Sequence, residues 1–322
     1  MIDLRTNIAG NAGRPLDRRE AIKIGASVIA AGLGAGALVG CQSTPQAVKS
    51  ETPVKISLAQ WSLHRALQAG QLDHLDFPRT ATREYGIDAV EYVSTFFKEK
   101  GKASYIAELK KRCGDEGVAS KLIMCDGEGS LGDPDGARRT QAVENHHKWV
   151  DAAKELGCHS IRVNAYSAGA PDEQRRLVAD GLRRLTEYGA KADLNVIVEN
   201  HGGLSSNGGW LADVMRTVSH PRCGTLPDFG NFNLGNGQAY DRYRGVAEMM
   251  PFARACSDKS YDFDKDGNET TIDYRRMMRI VYGAGYAGWL GVEYEGERMS
   301  EPDGIRATKR LIERVWAEMH RA

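Results

Sequence analysis

Asn195-Val196-Ile197-Val198-Glu199-Asn200-His201-Gly202-Gly203 is a β-branched run that ends in a carboxylate, an amide and an imidazole before breaking on two glycines. Val and Ile favour a strand interior, and paired glycines mark where a strand stops. The polar group therefore stands at a strand's carboxyl end, where open parallel sheets and (β/α)8 barrels carry their chemistry. Cys223-Gly224-Thr225-Leu226-Pro227-Asp228 and Trp289-Leu290-Gly291-Val292-Glu293 repeat the design, each an apolar run closed by an acid.

Outward from these runs the chain alternates from Pro53 to its end. Strand patterns cover 54–60, 87–92, 119–124, 160–164, 195–199, 223–226, 252–256 and 289–293. Helical patterns cover 72–85, 103–116, 138–156, 172–192, 209–218, 240–250, 274–283 and 305–320. Gly86, Gly117 and Gly157 stand where helices should stop. Eight strands alternating with eight helices predict an α/β fold, a closed (β/α)8 TIM barrel over 54–322. No G-x-G-x-x-G follows the first strand, so neither a doubly wound dinucleotide fold nor a nucleotide cofactor is expected.

Residues 1–40 read as an export signal rather than as fold. Arg18-Arg19 precedes a Gly/Ala-rich apolar run from Ile24 to Val39, which ends in Leu38-Val39-Gly40-Cys41. The run is too short and too weakly apolar for a comfortable membrane span. It is similar to a twin-arginine, lipoprotein-type signal. That likeness implies export of a folded protein to the periplasm, with lipid on Cys41 as the one membrane anchor and residues 41–53 as a tether. The signal holds five of the 43 Lys/Arg and three of the 43 Asp/Glu, leaving a mature part near −2 with no electrostatic footprint for nucleic acid. The other five cysteines lack metal-type spacing and read as buried free thiols.

On a barrel, the strand ends become one inventory of mouth-facing groups. The first two strands offer Trp61, His64 and Glu91; the third ends in Cys125-Asp126-Gly127-Glu128, the fourth in Asn164. Strands five to eight offer Glu199 with His201, Asp228 with Asn231, Ser257 with Lys259, and Glu293 with Glu295. Period-two alternation places Glu199 and His201 on one side of their strand, and Glu293 with Glu295. Carboxylates converging at a partly dry mouth repel one another, so one must take up a proton or meet a cation. A hard divalent ion resolves this, as does the ammonium of Lys259. The competing explanation, that each acid caps a following helix, suits one acid better than three.

The chain resembles the xylose isomerase-like TIM barrels, a family of sugar isomerases, epimerases, inosose dehydratases and apurinic-site endonucleases. The likeness is carried by Ile56-Ser57-Leu58-Ala59-Gln60-Trp61-Ser62, Val198-Glu199-Asn200-His201, Leu226-Pro227-Asp228 and Gly291-Val292-Glu293-Tyr294-Glu295-Gly296. It implies that Glu199, Asp228 and Glu293 are carboxylate ligands of a divalent metal, Mg²⁺ or Mn²⁺ ahead of Zn²⁺. Ser257 stands where the family's histidine ligand is expected, and Asn231 where strand six usually has a histidine; a hydroxyl is the weaker ligand. The implied chemistry is proton abstraction beside a sugar carbonyl, with Glu199 and Glu293 as paired acid and base. His201, Asn231, Lys259, Glu91, Trp61, His64, Asn164 and Glu295 are the candidate contacts for the small sugar substrate.

Two other classes stay open at this point: a lyase or dehydratase on an oxidised sugar, and a metal-free sugar-binding barrel suggested by Ser257 and Lys259. Neutral charge and few histidines disfavour an endonuclease. Asp262, Asp264, Asp266, Gly267 and Asp273 match the spacing of a calcium loop, but Glu269 fills its apolar position, so a polar β–α turn is the stronger reading. Gly202 to Gly209 reads as a flexible lid.

Overall fold

The structure is a computed structural model and describes residues 53–321. The expected signal, Cys41 and all but the last residue of the tether lie outside the described residues. Eight barrel strands are numbered here β1 (Ile56–Ala59), β2 (Ala89–Val93), β3 (Ala119–Met124), β4 (Ser160–Val163), β5 (Asn195–Glu199), β6 (Cys223–Leu226), β7 (Cys256–Ser260) and β8 (Leu290–Tyr294). A short hairpin, Asn233–Gly235 with Gln238–Ala239, stands outside that series. The main helices are α1 (Phe77–Tyr85), α2 (Ala103–Glu116), α3 (Gly136–Leu156), α4 (Pro171–Lys191), α5 (Gly208–Val218), α6 (Arg242–Met249), α7 (Tyr274–Gly283) and α8 (Glu301–Arg321).

Neighbouring strands pair in parallel from β1 to β6, and β1 also pairs with β8, which pairs with β7. The ring closes between β6 and β7 through two narrow bridges, Thr225 to Ala253 and Asp228 to Ser257. Pro227 suits this seam because it has no N–H to place; its carbonyl accepts from Ser257 N at 2.9 Å. The seam matters for function, since it brings Asp228 beside Ser257.

Two apolar layers hold the barrel. The outer one packs helix faces on the outward strand residues, among them Leu58, Tyr92, Ile161 and Val196. The inner one is a plug of Ala59, Val93, Leu122, Met124, Ile197, Leu226 and Ala255, with Trp61 and Phe96 against it. Burying each of its larger side chains is worth roughly 1.5–3 kcal/mol, and the plug gives the mouth a solid floor. Helix ends follow local chemistry. Asp135 caps α3 by accepting from Ala137 N and Arg138 N, and Gly86, Gly117 and Gly157 take the left-handed conformation at the predicted stops.

The seventh strand differs from the expectation of 252–256. Met250–Phe252 is a 3-10 turn, and the strand is Cys256-Ser257-Asp258-Lys259-Ser260, wholly buried although four of its five residues are polar. Apolar patterning fails there because this strand's inward face belongs to a polar site rather than to the plug. The five cysteines within the described residues are free and buried, as expected. Among the described residues no helix is long and apolar enough to cross a membrane.

Candidate active site

β5, β8 and the β6 turn each deliver one carboxylate to the same point, and β7 delivers Ser257 and Lys259. Glu199, Asp228 and Glu293 are all buried, and one carboxylate oxygen from each lies within 4.8 Å of the others. Asp228 is fixed from both sides: its Oδ1 accepts from Gly230 N and Asn231 N at 2.7 and 2.8 Å, and its own N–H donates to Asn200 Oδ1 at 2.7 Å. Asn200 is thus a clamp between β5 and β6, not a mouth group. Gly291 is needed on β8 because a Cβ there would meet both Glu91 carboxylate oxygens at 2.9 Å.

Ser257 Oγ lies 2.8 Å from Asp228 Oδ2 and 2.7 Å from Glu293 Oε2. A hydroxyl has one hydrogen, so it can donate to only one of these oxygens at a time. Lys259 Nζ, 2% exposed, sits 2.9 Å from Glu293, 3.2 Å from Glu295 and 3.6 Å from Asp228. Burial opposes its charge, but those three acids hold its pKa well above the ordinary lysine range. Burial raises Glu293 too, yet Lys259 and Ser257 outweigh it and hold that carboxyl below its usual value.

Glu199 has a different environment. Burial pushes its pKa up to about 7, against the pull of Arg162, whose Nε lies 2.8 Å from Glu199 Oε2. That N–H is not aligned on the oxygen, which leaves Oε2 without a hydrogen-bond donor, while Oε1 accepts from Asn231 Nδ2 at 3.0 Å. Arg162 also donates to Asp126 Oδ1 at 2.8 Å, and Asn164 Nδ2 reaches the same oxygen at 2.7 Å. Burial raises Asp126, but Arg162 and Asn164 more than offset this and lower it. Asp228, raised to about 7 chiefly by burial, completes a cluster with more negative charge than its cations neutralise.

A cavity of about 310 Å³ opens over this cluster. Of the candidates named from sequence, Trp61, Glu199, His201, Glu293 and Glu295 line it, and Trp61 Nε1 donates to Glu295. Asp228, Ser257, Asn231 and Lys259 touch its acids from the barrel wall. Three candidates stand further out. Glu91 lies inside the barrel on Ser57 Oγ at 2.5 Å, Asn164 holds Asp126, and His64 stacks on Trp61 at 4.8 Å between ring centroids. His201 Nδ1 pairs with the Tyr166 hydroxyl at 3.0 Å, and burial lowers its pKa.

Arg162 was not among the candidates, and Asp126 only as part of a strand end. The available signal was a lone cation in the four-residue strand Ser160-Ile161-Arg162-Val163. The segment expected as a lid is pinned: Ser205 Oγ accepts from His201 N at 2.9 Å, and Ser206 Oγ accepts from Gly202 N and donates to Asn231 O.

The residues fit a small hard cation. The donors are oxygens, three carboxylates converge on one point, and one buried oxygen of Glu199 lacks an aligned partner.

Fold and site together define a parallel (β/α)8 barrel with a buried carboxylate cluster at its mouth. The family model for xylose isomerase-like TIM barrels matches residues 80–315, and the chain belongs to that family. It is similar to the L-ribulose-5-phosphate 3-epimerase UlaE of Escherichia coli K12, 22% identical over 191 residues, which are 58% of this chain and 67% of that protein. Among solved structures it is similar to a Mycobacterium smegmatis xylose isomerase-like TIM barrel protein in complex with magnesium, with 18% identity, TM-score 0.61 and coverage of 82% of this chain and 97% of that one. It is also similar in fold to a D-psicose 3-epimerase with D-tagatose from Clostridium cellulolyticum H10, with 12% identity, TM-score 0.61 and coverage of 82% and 97%.

Proposed function

We propose that this protein is a sugar isomerase or epimerase that moves a proton on the carbon beside a carbonyl, with Glu199 and Glu293 as the paired acid and base. The observation that carries the reading is that these two buried carboxylates line one small cavity from β5 and β8, in environments that pull their pKa values apart. Glu293, held ionised by Lys259 and Ser257, is the resting base. Glu199, near neutrality, carries a proton for the other face and exchanges roles in the reverse direction. Lys259 places a fixed positive charge behind the base and helps to hold it ionised. Asn231 and Arg162 orient Glu199, and Trp61 gives the sugar ring an apolar wall.

Glu199, Asp228 and Glu293, with Ser257 as a further oxygen, are the residues that would hold a divalent ion. Such an ion, when bound, supplies Lewis-acid polarisation of the carbonyl and the neighbouring hydroxyl. The relatives support the class of reaction, since the proteins named above include 3-epimerases of ketoses. The test is a panel of ketopentoses and ketohexoses, incubated with protein before and after chelation and resolved by chromatography. Conversion to an epimer or aldose, lost on chelation and restored by Mg²⁺ or Mn²⁺, is expected. An unsaturated product would move the assignment to a lyase, and no conversion to a binding barrel.

A further inference from the structure

Resting on the isomerase reading, we infer that the substrate is an uncharged sugar, a free ketose rather than a sugar phosphate. The positive charges and most backbone donors around the cavity already have partners within the chain.

Among the described residues that line the cavity, Arg162 is the one side chain with a permanent positive charge, and its guanidinium is shared between Asp126 and Glu199. Lys259, behind the cluster, is shared among Glu293, Glu295 and Asp228. His201 Nδ1 is taken up by the Tyr166 hydroxyl at 3.0 Å. The acids keep the open side: the side chains of Asp126 and Glu295 are 33% and 28% exposed. With Glu199 and Glu293 at the reacting carbons, the distal end of a sugar meets those two carboxylates. Carboxylates accept from hydroxyls, whereas a terminal phosphate would face like charge.

Backbone donors at five of the eight main helix openings give the same answer. Asp135, Asn207, Asp241 and Asp273 cap α3, α5, α6 and α7 with their own side chains, and α4 opens on Asp172 and Glu173. At the rim beside Trp61, an anion seat does exist: the N–H groups of Arg65 and Ala66, the Arg65 side chain and His64 converge on one point. The carboxylate of Glu301, 6% exposed, fills it, accepting from Arg65 N at 2.7 Å and Ala66 N at 3.1 Å. The chain thus answers these donors with its own acid.

Calorimetric titration of the full-length protein with a free ketopentose and with its terminal phosphate tests this, with inorganic phosphate as competitor. The free sugar is expected to bind at least about 30-fold more tightly, and phosphate not to compete. Glu301→Gln, or Asp126→Asn should the first fail to fold, is expected to narrow that ratio by strengthening binding of the phosphate ester. Equal or tighter binding of the phosphate ester overturns this inference and leaves the isomerase reading standing. Binding of neither sugar, together with no conversion in the ketose panel, overturns both.

Discussion

Two regions of the molecule are rich in acid, and they meet opposite fates. In the loop from Asp262 to Asp273, Asp264, Glu269 and Asp273 each accept from backbone N–H groups close by in sequence. Asp264 Oδ1 accepts from Asp266 N and Asn268 N at 2.9 Å, Asp273 caps α7 by accepting from Arg276 N, and Asp262 pairs with Arg298 at 2.8 Å. Arg314 supplies the cation, donating to the carbonyls of Asp266 and Gly267 and to Asn268 Oδ1. Backbone N–H groups hold Asp264 below its ordinary pKa. At the barrel mouth, Glu199, Asp228 and Glu293 share a few partners in a dry interior, and two of them are raised to about 7. The difference lies in desolvation and convergence, not in the number of acids. A polar turn satisfies carboxylates locally, whereas a barrel forces them together and leaves charge for a ligand to answer.

The largest effect should come from the mouth. Glu199→Gln and Glu293→Gln each preserve shape and remove one proton carrier, so turnover should fall about 10²–10⁴-fold while the protein still folds. Comparable activity in both variants and wild type would collapse the distinction between the two regions.

Arg162→Met comes next. It strands the buried carboxylate of Glu199 and should cost roughly 3–5 kcal/mol in urea unfolding at pH 8. The loss should shrink at pH 5, where Glu199 is protonated. An equal loss at both pH values would mean that packing, not charge, is what Arg162 contributes.

Glu91→Gln sharpens the same contrast. Burial raises Glu91 from its ordinary 4.5 to about 7. The folded state then keeps a proton that the unfolded chain releases, so stability falls as pH rises from about 4.5 to about 7 and levels off above. The share of this one group is on the order of 3 kcal/mol, and the variant should lack it. A variant with the wild-type slope would place Glu91 in a wetter setting. The smallest effect belongs to the loop: millimolar Ca²⁺ should move Tm by about 1 °C or less, because Arg314 already holds its carbonyls. A larger shift would make it a second cation site.

The site was legible where chemistry punctuates a pattern. β5, β6 and β8 are apolar runs broken by an acid, and the glycine stops of α1 to α3 set helix lengths. β7 was displaced because alternation predicts which residues face an apolar core, and its inward residues, Ser257 and Lys259, face carboxylates instead. Arg162 was silent for the same reason: a buried guanidinium is tolerable only beside acids from β3 and β5, and that adjacency exists only in the closed ring. Glu91 looked like a mouth group by its place near a strand end, yet it sits within the barrel on Ser57, beside a register shift between Val90 and Glu91.

The most direct test is to run the reaction with a free ketose in D₂O and locate the label by NMR. Wild-type protein should place deuterium on the carbon beside the carbonyl in both recovered substrate and product, and Glu199→Gln and Glu293→Gln should each suppress it. Product formed with no solvent label, or label undiminished in both variants, would contradict proton transfer by these two carboxylates.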